Sequence, residues 1–223
     1  MNVKIIGHRG AKGLAPENTL ASLTKALEHN VDVIETDIHV TKDNVAVLAH
    51  NKDVEAETGE RYIVGDHTYA ELLESVPSLV TLEEGINHIN RAVPFYLEIK
   101  PGQPVEPIAE VIQNFYTKGW ASDDFLIASF DFKVLKEAKQ LLPGIPLVVG
   151  EPWSGTRAVY RARLLGTRKL SMSQRWLWKG FITPMQRRGW QLYAYTVNQP
   201  RKARIFKSYG IHAIFTDYPN LFE

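Results

Sequence analysis

Short apolar runs typical of β-strands alternate with amphipathic helical patterns along almost the whole 223-residue chain. Eight runs are strand-like, at residues 3–7, 33–40, 95–99, 125–129, 145–149, about 168–172, 191–197 and 213–216. The helical patterns between them cover about 19–29, 82–91, 105–118, 131–142, 155–165, 177–188 and 200–209. Because β-α-β units make parallel sheets and eight such units close on themselves, the alternation predicts an α/β fold, a (β/α)8 TIM barrel.

One stretch interrupts this repeat after the second strand. Residues 41–80 contain a polar turn, a short strand ending at His50, a long polar segment and a further helix signal. With 223 residues and 44% hydrophobic composition, the chain supports one well-filled core and is short for two domains. We therefore predict a single domain over 1–223 with a small insertion at about 41–80, in a loop on the face where such barrels carry function.

Charged residues lie inside two of the apolar runs. Glu35 and Asp37 are two apart in the second strand, and Glu98 and Lys100 are two apart at the third. Residues i and i+2 of a strand face the same side, so each pair shares a face. Unpaired carboxylates are costly in such a place and are normally neutralised by a cation or by protons. We interpret Glu35, Asp37 and Glu98 as a divalent-metal site, the alternative being a buried carboxylate–lysine network without metal.

Two histidines stand at strand ends, His8 after the first strand and His50 after the run 45–49. The ordinary pKa of histidine lies close to neutrality, so one ring can start neutral and the other charged, as acid/base cleavage requires. Arg9 offers a planar fork for two phosphate oxygens, while Lys100 offers a point charge or balances the carboxylates. Together with the carboxylates, these groups are suited to cleaving a phosphate ester.

Composition narrows the class of protein. The chain has no cysteine, which excludes disulfides and thiolate metal sites. No apolar run approaches the ~20 residues of a membrane span. The first strand begins at Val3, which leaves no room for a signal peptide unless one was trimmed before this numbering begins. These observations predict a soluble, cytoplasmic protein.

The net charge of +1 conceals an asymmetry between the two parts of the chain. Residues 152–216 contain thirteen Lys and Arg and no Asp or Glu, whereas the first 151 residues carry 23 acids against 13 bases. Trp153, Trp176, Trp178 and Trp190 lie in this basic C-terminal half. Tryptophan beside basic residues is typical of lipid-headgroup surfaces, which predicts contact with an anionic lipid surface. We expect no nucleic-acid partner. The alternatives are a solvated basic surface and tryptophans packed between barrel helices.

Seven short motifs carry a family resemblance, and their order and spacing match along nearly the whole chain. They are His8-Arg9-Gly10, Pro16-Glu17-Asn18-Thr19, Glu35-Thr36-Asp37, His50, Leu97-Glu98-Ile99-Lys100, Tyr195-Thr196-Val197-Asn198 and Thr216-Asp217-Tyr218-Pro219. With these motifs the sequence resembles the glycerophosphodiester phosphodiesterase family. The resemblance implies hydrolysis of a small-molecule glycerophosphodiester to an alcohol and glycerol 3-phosphate, in glycerol and lipid metabolism.

The resemblance also implies a role for each site residue. By position, His8 and His50 are the acid/base pair, Arg9 and Lys100 hold phosphate, and the metal, Ca²⁺ or Mg²⁺, is bound by Glu35, Asp37 and Glu98. Two further residues are assigned supporting roles. Glu17 is a candidate partner of these groups, although capping of the first helix by this segment, at Asn18 or Thr19, explains it equally. Asn198, at the end of the seventh strand, is a candidate for orienting a ligand, or a turn residue.

The chain departs from the family pattern at two places. Asn51 follows His50 where the family usually has aspartate and then an Arg-Thr-Thr run, and Tyr195 stands where tryptophan is common. The region after His50 should influence substrate preference. The basic, tryptophan-bearing half favours a phospholipase D-like activity on lysophospholipids as the second interpretation, and a non-enzymatic anion- or nucleic-acid-binding module is the third. The metal used, the alcohol preferred, the assignment of acid and base and the oligomeric state are left open by the sequence.

Overall fold

A computed structural model describes residues 3–222. In this part of the chain the strands are β1 (Lys4–Gly7), β2 (Val33–Val40), β3 (Ala46–Leu48), β4 (Asp53–Glu55), β5 (Arg61–Ile63), β6 (Phe95–Ile99), β7 (Phe125–Ser129), β8 (Leu147–Glu151), β9 (Lys169–Ser173), β10 (Gln191–Tyr195) and β11 (Ala213–Thr216). The helices are α1 (Leu20–Glu28), α2 (Tyr69–Ser75), α3 (Leu82–Ile89), α4 (Glu106–Thr117), α5 (Phe132–Leu141), α6 (Gly155–Leu165), α7 (Lys179–Arg187) and α8 (Pro200–Tyr209). None of the helices within 3–222 has the length and apolar character needed to cross a bilayer.

Eight of the strands close into a parallel barrel in the order β1, β2, β6, β7, β8, β9, β10, β11. Closure occurs at β1, where Ile6 is in register with Val33 of β2 on one side and with Phe215 of β11 on the other. Helices connect successive barrel strands, so the predicted TIM barrel is confirmed. After β11, the last barrel strand, the described chain forms a short 3-10 turn, Pro219–Leu221, and no α-helix.

The strand alternation separates two apolar layers. Ile34 and Ile38 of β2 point outward and pack in the large core between strands and helices. Val33 of the same strand points into the barrel, where it packs in a smaller cluster with Tyr96 and other inward residues. Since side chains alternate along a strand, the odd-numbered residues that follow Val33 in β2 also face the barrel interior. The two acidic residues of β2 are therefore directed inward near its carboxyl end.

The chain turns sharply at the end of β1. A Cβ atom on Gly7 would collide with the carbonyl oxygen of Gly10 and press on Ala26 of α1, so only glycine fits there. The turn places the backbone N–H of Arg9 2.8 Å from Oε2 of Glu35. The first motif is thereby fixed against the second strand of the barrel.

The stretch between β2 and α3 forms a separate small layer. Strand β3 pairs antiparallel with β2, with Ile38 opposite Leu48, and β4 and β5 form a two-stranded hairpin. Val47, Val64 and Leu72 of this stretch belong to an apolar cluster distinct from the barrel layers. The arrangement supports our proposal of one domain with an insertion at about 41–80.

Candidate active site

Three carboxylates meet at the carboxyl ends of β2 and β6. Asp37 of β2 is in register with Glu98 of β6, and Glu35 precedes Asp37 by one pleat. Ligand oxygens of the three side chains all lie within 4.8 Å of one another. Glu35 is only 1% exposed and Asp37 2% exposed. Three anionic groups held this close in a buried place require compensation by positive charge.

Two cations supply part of that compensation. The ammonium of Lys100 lies 2.6 Å from Oδ1 of Asp37 and 2.6 Å from Oε1 of Glu98. Nε of Arg9 lies 3.3 Å from Oδ2 of Asp37. Although burial alone would raise the pKa of Asp37, Lys100 and Arg9 hold that pKa below its ordinary value. The network expected as the metal-free alternative is thus present around Asp37.

Within residues 3–222, Glu35 makes no ion pair with a cationic side chain. Its carboxylate accepts a hydrogen bond from the Arg9 backbone N–H instead. Burial, and then the charges of Asp37 and Glu98, raise its pKa well above the ordinary range. Burial also raises the pKa of Glu98 despite the opposing effect of Lys100. The raised pKa values indicate that two nearby cations do not fully compensate three clustered carboxylates, and hard divalent ions prefer such oxygen ligands. The donor set therefore fits a divalent cation held by Glu35, Asp37 and Glu98.

Asn18 fixes the orientation of Asp37, a role that sequence reasoning missed. Its side-chain amide donates to Oδ2 of Asp37 at 3.1 Å, and the Asp37 backbone N–H donates to Oδ1 of Asn18 at 3.2 Å. Thr19 is the residue that caps α1, through a reciprocal capping box with Ser22. The signal in the sequence was that Asn18 directly precedes Thr19. Because Thr19 is sufficient to cap the helix, Asn18 was free for another role.

Arg9 is held in place from two sides. Its Nη1 donates to both carboxylate oxygens of Glu17 at 2.9 Å, while Nε approaches Asp37. The Arg9 side chain is 13% exposed, whereas that of Glu17 is 41% exposed. Glu17 therefore restrains the guanidinium from the solvent side, which supports its proposed place beside the site.

His8 is oriented by a carboxylate at the end of the last barrel strand. Its Nδ1 lies 2.6 Å from Oδ1 of Asp217. Asn198 in turn donates to Oδ2 of Asp217 at 2.7 Å and accepts from its backbone N–H at 2.9 Å. The carboxylate fixes the proton on Nδ1 and leaves Nε2 of His8 available. Burial lowers the pKa of His8, the Asp217 hydrogen bond opposes that effect, and the pKa stays below its ordinary value.

Asp217 belongs to the last of the seven motifs, but the sequence alone did not indicate what this carboxylate does. The available signal was an acid directly after the last barrel strand, whose closure onto β1 places it beside His8. Asn198, for which the sequence suggested a supporting role, contacts Asp217 and Thr216.

His50 has a different partner. Its Nδ1 lies 2.8 Å from Oδ1 of Asn51, the residue that departs from the family pattern. Since an amide oxygen only accepts hydrogen bonds, this contact places the proton on Nδ1 and leaves Nε2 of His50 available. Burial is the main cause that lowers the pKa of His50, partly opposed by Asp37.

One cavity of about 350 Å³ brings most of these groups together. Its ionisable lining residues include His8, Arg9, Asp37, His50, Glu98 and Lys100. Phe130 and Tyr195 form part of its apolar wall, with ring centroids 5.9 Å apart. Of the residues assigned from the sequence, Glu35 is buried behind the lining, and Glu17 and Asn198 act on lining residues or their partners. Two histidines, two cations and the carboxylates thus share one space large enough for a phosphodiester.

Comparison with known proteins agrees with this geometry. The Bacillus subtilis protein named "Putative glycerophosphodiester phosphodiesterase YhdW" is 29% identical over 233 residues, which cover 97% of this chain and 95% of that protein. The glycerophosphodiester phosphodiesterase of the same organism is 26% identical over 247 residues, covering 98% of this chain and 84% of that protein. The structure of an Oleispira antarctica phosphodiesterase in complex with the product sn-glycerol-3-phosphate superposes with a TM-score of 0.87 at 25% identity, covering 98% of this chain and 94% of that chain.

The family assignment rests on the length of the match. The sequence profile of the glycerophosphoryl diester phosphodiesterase family matches residues 8–221, which is nearly the whole chain and includes every residue of the cavity described above. With the fold, the clustered carboxylates and the paired histidines, the match shows that this chain belongs to the glycerophosphoryl diester phosphodiesterase family.

Proposed function

We propose that the protein hydrolyses glycerophosphodiesters to an alcohol and glycerol 3-phosphate. The observation that carries this proposal is the single cavity in which His8 and His50 face the carboxylate cluster and the two cations. Family membership and the product complex of the Oleispira relative support it. The direct test is release of glycerol 3-phosphate from glycerophosphocholine or glycerophosphoethanolamine by the purified protein supplied with Ca²⁺ or Mg²⁺.

Glu35, Asp37 and Glu98 would hold the divalent cation, and the oxygen-only donor set favours Ca²⁺ or Mg²⁺ over softer metals. When bound, such an ion polarises a phosphoryl oxygen and makes a neighbouring hydroxyl more acidic. Asn18 contributes by keeping Oδ2 of Asp37 in a fixed direction.

Arg9 and Lys100 bind the phosphate in this proposal. Both line the cavity, and Glu17 and Asp37 hold the Arg9 guanidinium in a fixed plane. A guanidinium can donate to two phosphoryl oxygens at once, whereas the Lys100 ammonium contributes a point charge. Lys100 also balances Asp37 and Glu98, so it serves both the charge of the cluster and the charge of the substrate.

The two histidines move the protons. One imidazole accepts, at Nε2, the proton of the attacking hydroxyl, and the other donates a proton to the leaving alkoxide as its bond to phosphorus breaks. The hydrogen bonds at Nδ1 of each ring, to Asp217 and Asn51, keep Nε2 of both rings available. The protein thus supplies a base and an acid without changing its total number of protons.

Asp217→Asn tests whether this carboxylate positions His8. Because Asp217 raises the pKa of His8 against the effect of burial, its loss should move the limb of the pH–rate profile that belongs to His8 to lower pH. We also expect kcat to fall by about 10–100-fold, with KM less affected, as for other residues that orient a catalytic ring. Asp53→Asn, at an acid outside the catalytic cavity, serves as the control. A profile identical to that of the wild type would remove Asp217 from this role.

Within residues 3–222, no serine or threonine hydroxyl is hydrogen-bonded to His8 or His50. The chain contains no cysteine. Ser171 lines the cavity, but its hydroxyl makes no hydrogen bond to a histidine of residues 3–222. The remaining candidates are water and the C2 hydroxyl of the glycerol moiety, which lies next to the phosphate. Attack by that hydroxyl forms a new P–O bond, expels the alcohol and gives a cyclic phosphate, which water then opens.

A substrate analogue without the C2 hydroxyl distinguishes these routes. If the hydroxyl attacks, the 2-deoxy analogue should bind as a competitive inhibitor and release its alcohol at least about 10³-fold more slowly, since the nucleophile is missing. The measurement compares inhibition constants with turnover for the two compounds. Turnover of the analogue near the normal rate would exclude the cyclic route and leave water as the nucleophile.

A second substrate class is a lysophospholipid cleaved in a phospholipase D-like reaction. The observation that favours it is the exposure of Trp153, Trp176 and Trp178, which follow barrel strands β8 and β9. A competition assay, in which lysophospholipid and a water-soluble glycerophosphodiester are supplied together and the hydrolysis of each is measured, would show which of the two classes the protein prefers.

A further inference from the structure

Three tryptophans stand out on the surface. Trp153 is 70% exposed, Trp178 59% and Trp176 46%. A single exposed aromatic residue is ordinary, but several in adjoining loops indicate a surface that contacts something apolar. With the basic residues Arg157, Arg175 and Lys179 they form what is here named the aromatic rim.

The two loops that carry these tryptophans form one surface. Strands β8 and β9 are neighbours, with Glu151 in register with Met172, so the segments that follow them emerge side by side. Gly155, at the start of α6, lies so close to the ring of Phe181 in α7 that an added Cβ would be 2.9 Å from it. The Phe181 ring in turn packs against Trp178, with centroids 5.5 Å apart.

The aromatic rim lies at the same end of the barrel as the catalytic cavity. All three tryptophans follow the carboxyl ends of barrel strands, the same end at which His8 and His50 stand. The loop after β9 also contacts the cavity wall directly, because the Gln174 side-chain amide donates to the carbonyl oxygen of Thr196, a lining residue. Whatever covers the rim is therefore close to the entrance for substrate.

The charge of the aromatic rim is positive throughout. Residues 152–216 contain no Asp or Glu. The acid nearest to the rim in sequence, Glu151, is fully buried and accepts from Arg157 at 2.6 and 2.7 Å. Within residues 3–222, Arg175 and Lys179 make no ion pair with a carboxylate. Two copies of this surface placed face to face would repel each other, which disfavours a second copy of the chain as the occupant.

Exposed tryptophans flanked by uncompensated basic side chains match the interface of an anionic membrane. Their amphipathic rings sit at headgroup depth, and the basic side chains are attracted by the negative surface potential. We propose that the aromatic rim binds the surface of membranes containing anionic phospholipid and thereby presents the catalytic cavity to lipid-borne phosphodiesters such as lysophospholipids. Only the substrate consequence rests on the proposed function, whereas membrane binding stands independently.

Vesicle sedimentation tests the contact. The full chain is mixed with sucrose-loaded vesicles of phosphatidylglycerol and phosphatidylcholine, or of phosphatidylcholine alone, and the bound fraction is measured. We expect clear partitioning onto the anionic vesicles. The triple variant W153S/W176S/W178S should lower the partition coefficient at least about tenfold, since the apolar contact is lost. R175Q/K179Q should lower it about fivefold per charge removed, and the loss should disappear at high salt.

The matched control is R187Q/R188Q, which removes two exposed charges from the same acid-free segment at the opposite end of α7. It should bind anionic vesicles like the wild type. Equal loss in this control, or unchanged binding by the triple tryptophan variant, would show that the rim is not the site and overturn the proposal. Failure of the wild-type protein to bind anionic vesicles would also overturn the proposal. So would a dimer or an oligonucleotide complex that depends on the rim residues and forms without any vesicle binding.

Hydrolysis of water-soluble glycerophosphoethanolamine separates this inference from the proposed function. The triple tryptophan variant should retain the wild-type rate on that substrate and lose at least about tenfold of its rate on lysophospholipid presented in anionic vesicles. Vesicle binding by a protein without any phosphodiesterase activity would leave the rim as a membrane site and reject the proposed function. Equal retention of both activities would reject the role of the rim in substrate delivery.

Discussion

Excess EDTA should abolish turnover, and Ca²⁺ or Mg²⁺ should restore it. The physical reason is the charge balance of the cluster, in which Glu35 has no cationic side-chain partner within residues 3–222 and its pKa is raised well above the ordinary range. A divalent ion held there would neutralise this charge and, as a Lewis acid, polarise a phosphoryl oxygen of the substrate. The measurement is release of glycerol 3-phosphate before chelation, after chelation and after each metal is added back. Undiminished activity in excess EDTA would contradict the metal assignment.

Glu35→Gln is the sharpest variant for the same site. It removes a mutually repelling charge and retains a side-chain oxygen that can accept from the Arg9 backbone N–H. We therefore expect the metal-free variant to be at least as stable as the metal-free wild type, while the increase in Tm caused by Ca²⁺ or Mg²⁺ becomes smaller. Glu55→Gln, at a half-exposed acid of the insertion, should leave that increase unchanged. An undiminished metal-induced increase in Glu35→Gln would exclude Glu35 as a ligand.

His8→Ala and His50→Ala should each lower kcat by about 10²–10⁴-fold, with KM less affected. Each ring leaves Nε2 available beside the cavity, so each loss removes a proton transfer rather than a binding contact. His67→Ala is the control, because that imidazole contacts the Ile63 carbonyl in the insertion and does not line the cavity.

The pH–rate profiles of the two variants assign the roles. Burial is the main cause that holds the pKa values of both histidines below the ordinary value. Loss of the general base should remove the limb at low pH, and loss of the general acid should remove the limb at high pH. A variant with the wild-type rate and both limbs would show that its histidine takes no part in the reaction.

The barrel was predictable because its signals are local. A strand followed by a helix is visible in the period of the apolar residues, as in 125–129 followed by 131–142, and the observed bounds are 125–129 and 132–141. The inward direction of Glu35, Asp37 and Glu98 was also predictable, since alternation along a strand fixes which residues share a face. The end of the repeat was less regular than expected, because the described chain after β11 makes only a 3-10 turn.

The candidate site was predictable where one residue type and its place on a strand suffice, as for His8 and His50. The supporting contacts were not, because they join segments far apart in sequence. Asp217 reaches His8 across 209 positions, through the closure of β11 onto β1. Asn18 is indistinguishable from a helix cap in the sequence, and its contact with Asp37 depends on how the turn after β1 packs against β2.

The sequence by itself determined the order of strands and helices, the side of each strand on which charge lies, and the family to which the motifs belong. Tertiary structure alone decided which charges meet, that Lys100 balances Asp37 and Glu98 while Glu35 lacks such a partner, and that three tryptophans share one rim beside the cavity. The physical reason is one of range. Periodicity and side-chain direction follow from neighbouring residues, whereas the pairing of charges and the exposure of rings depend on distances between strands that only barrel closure sets.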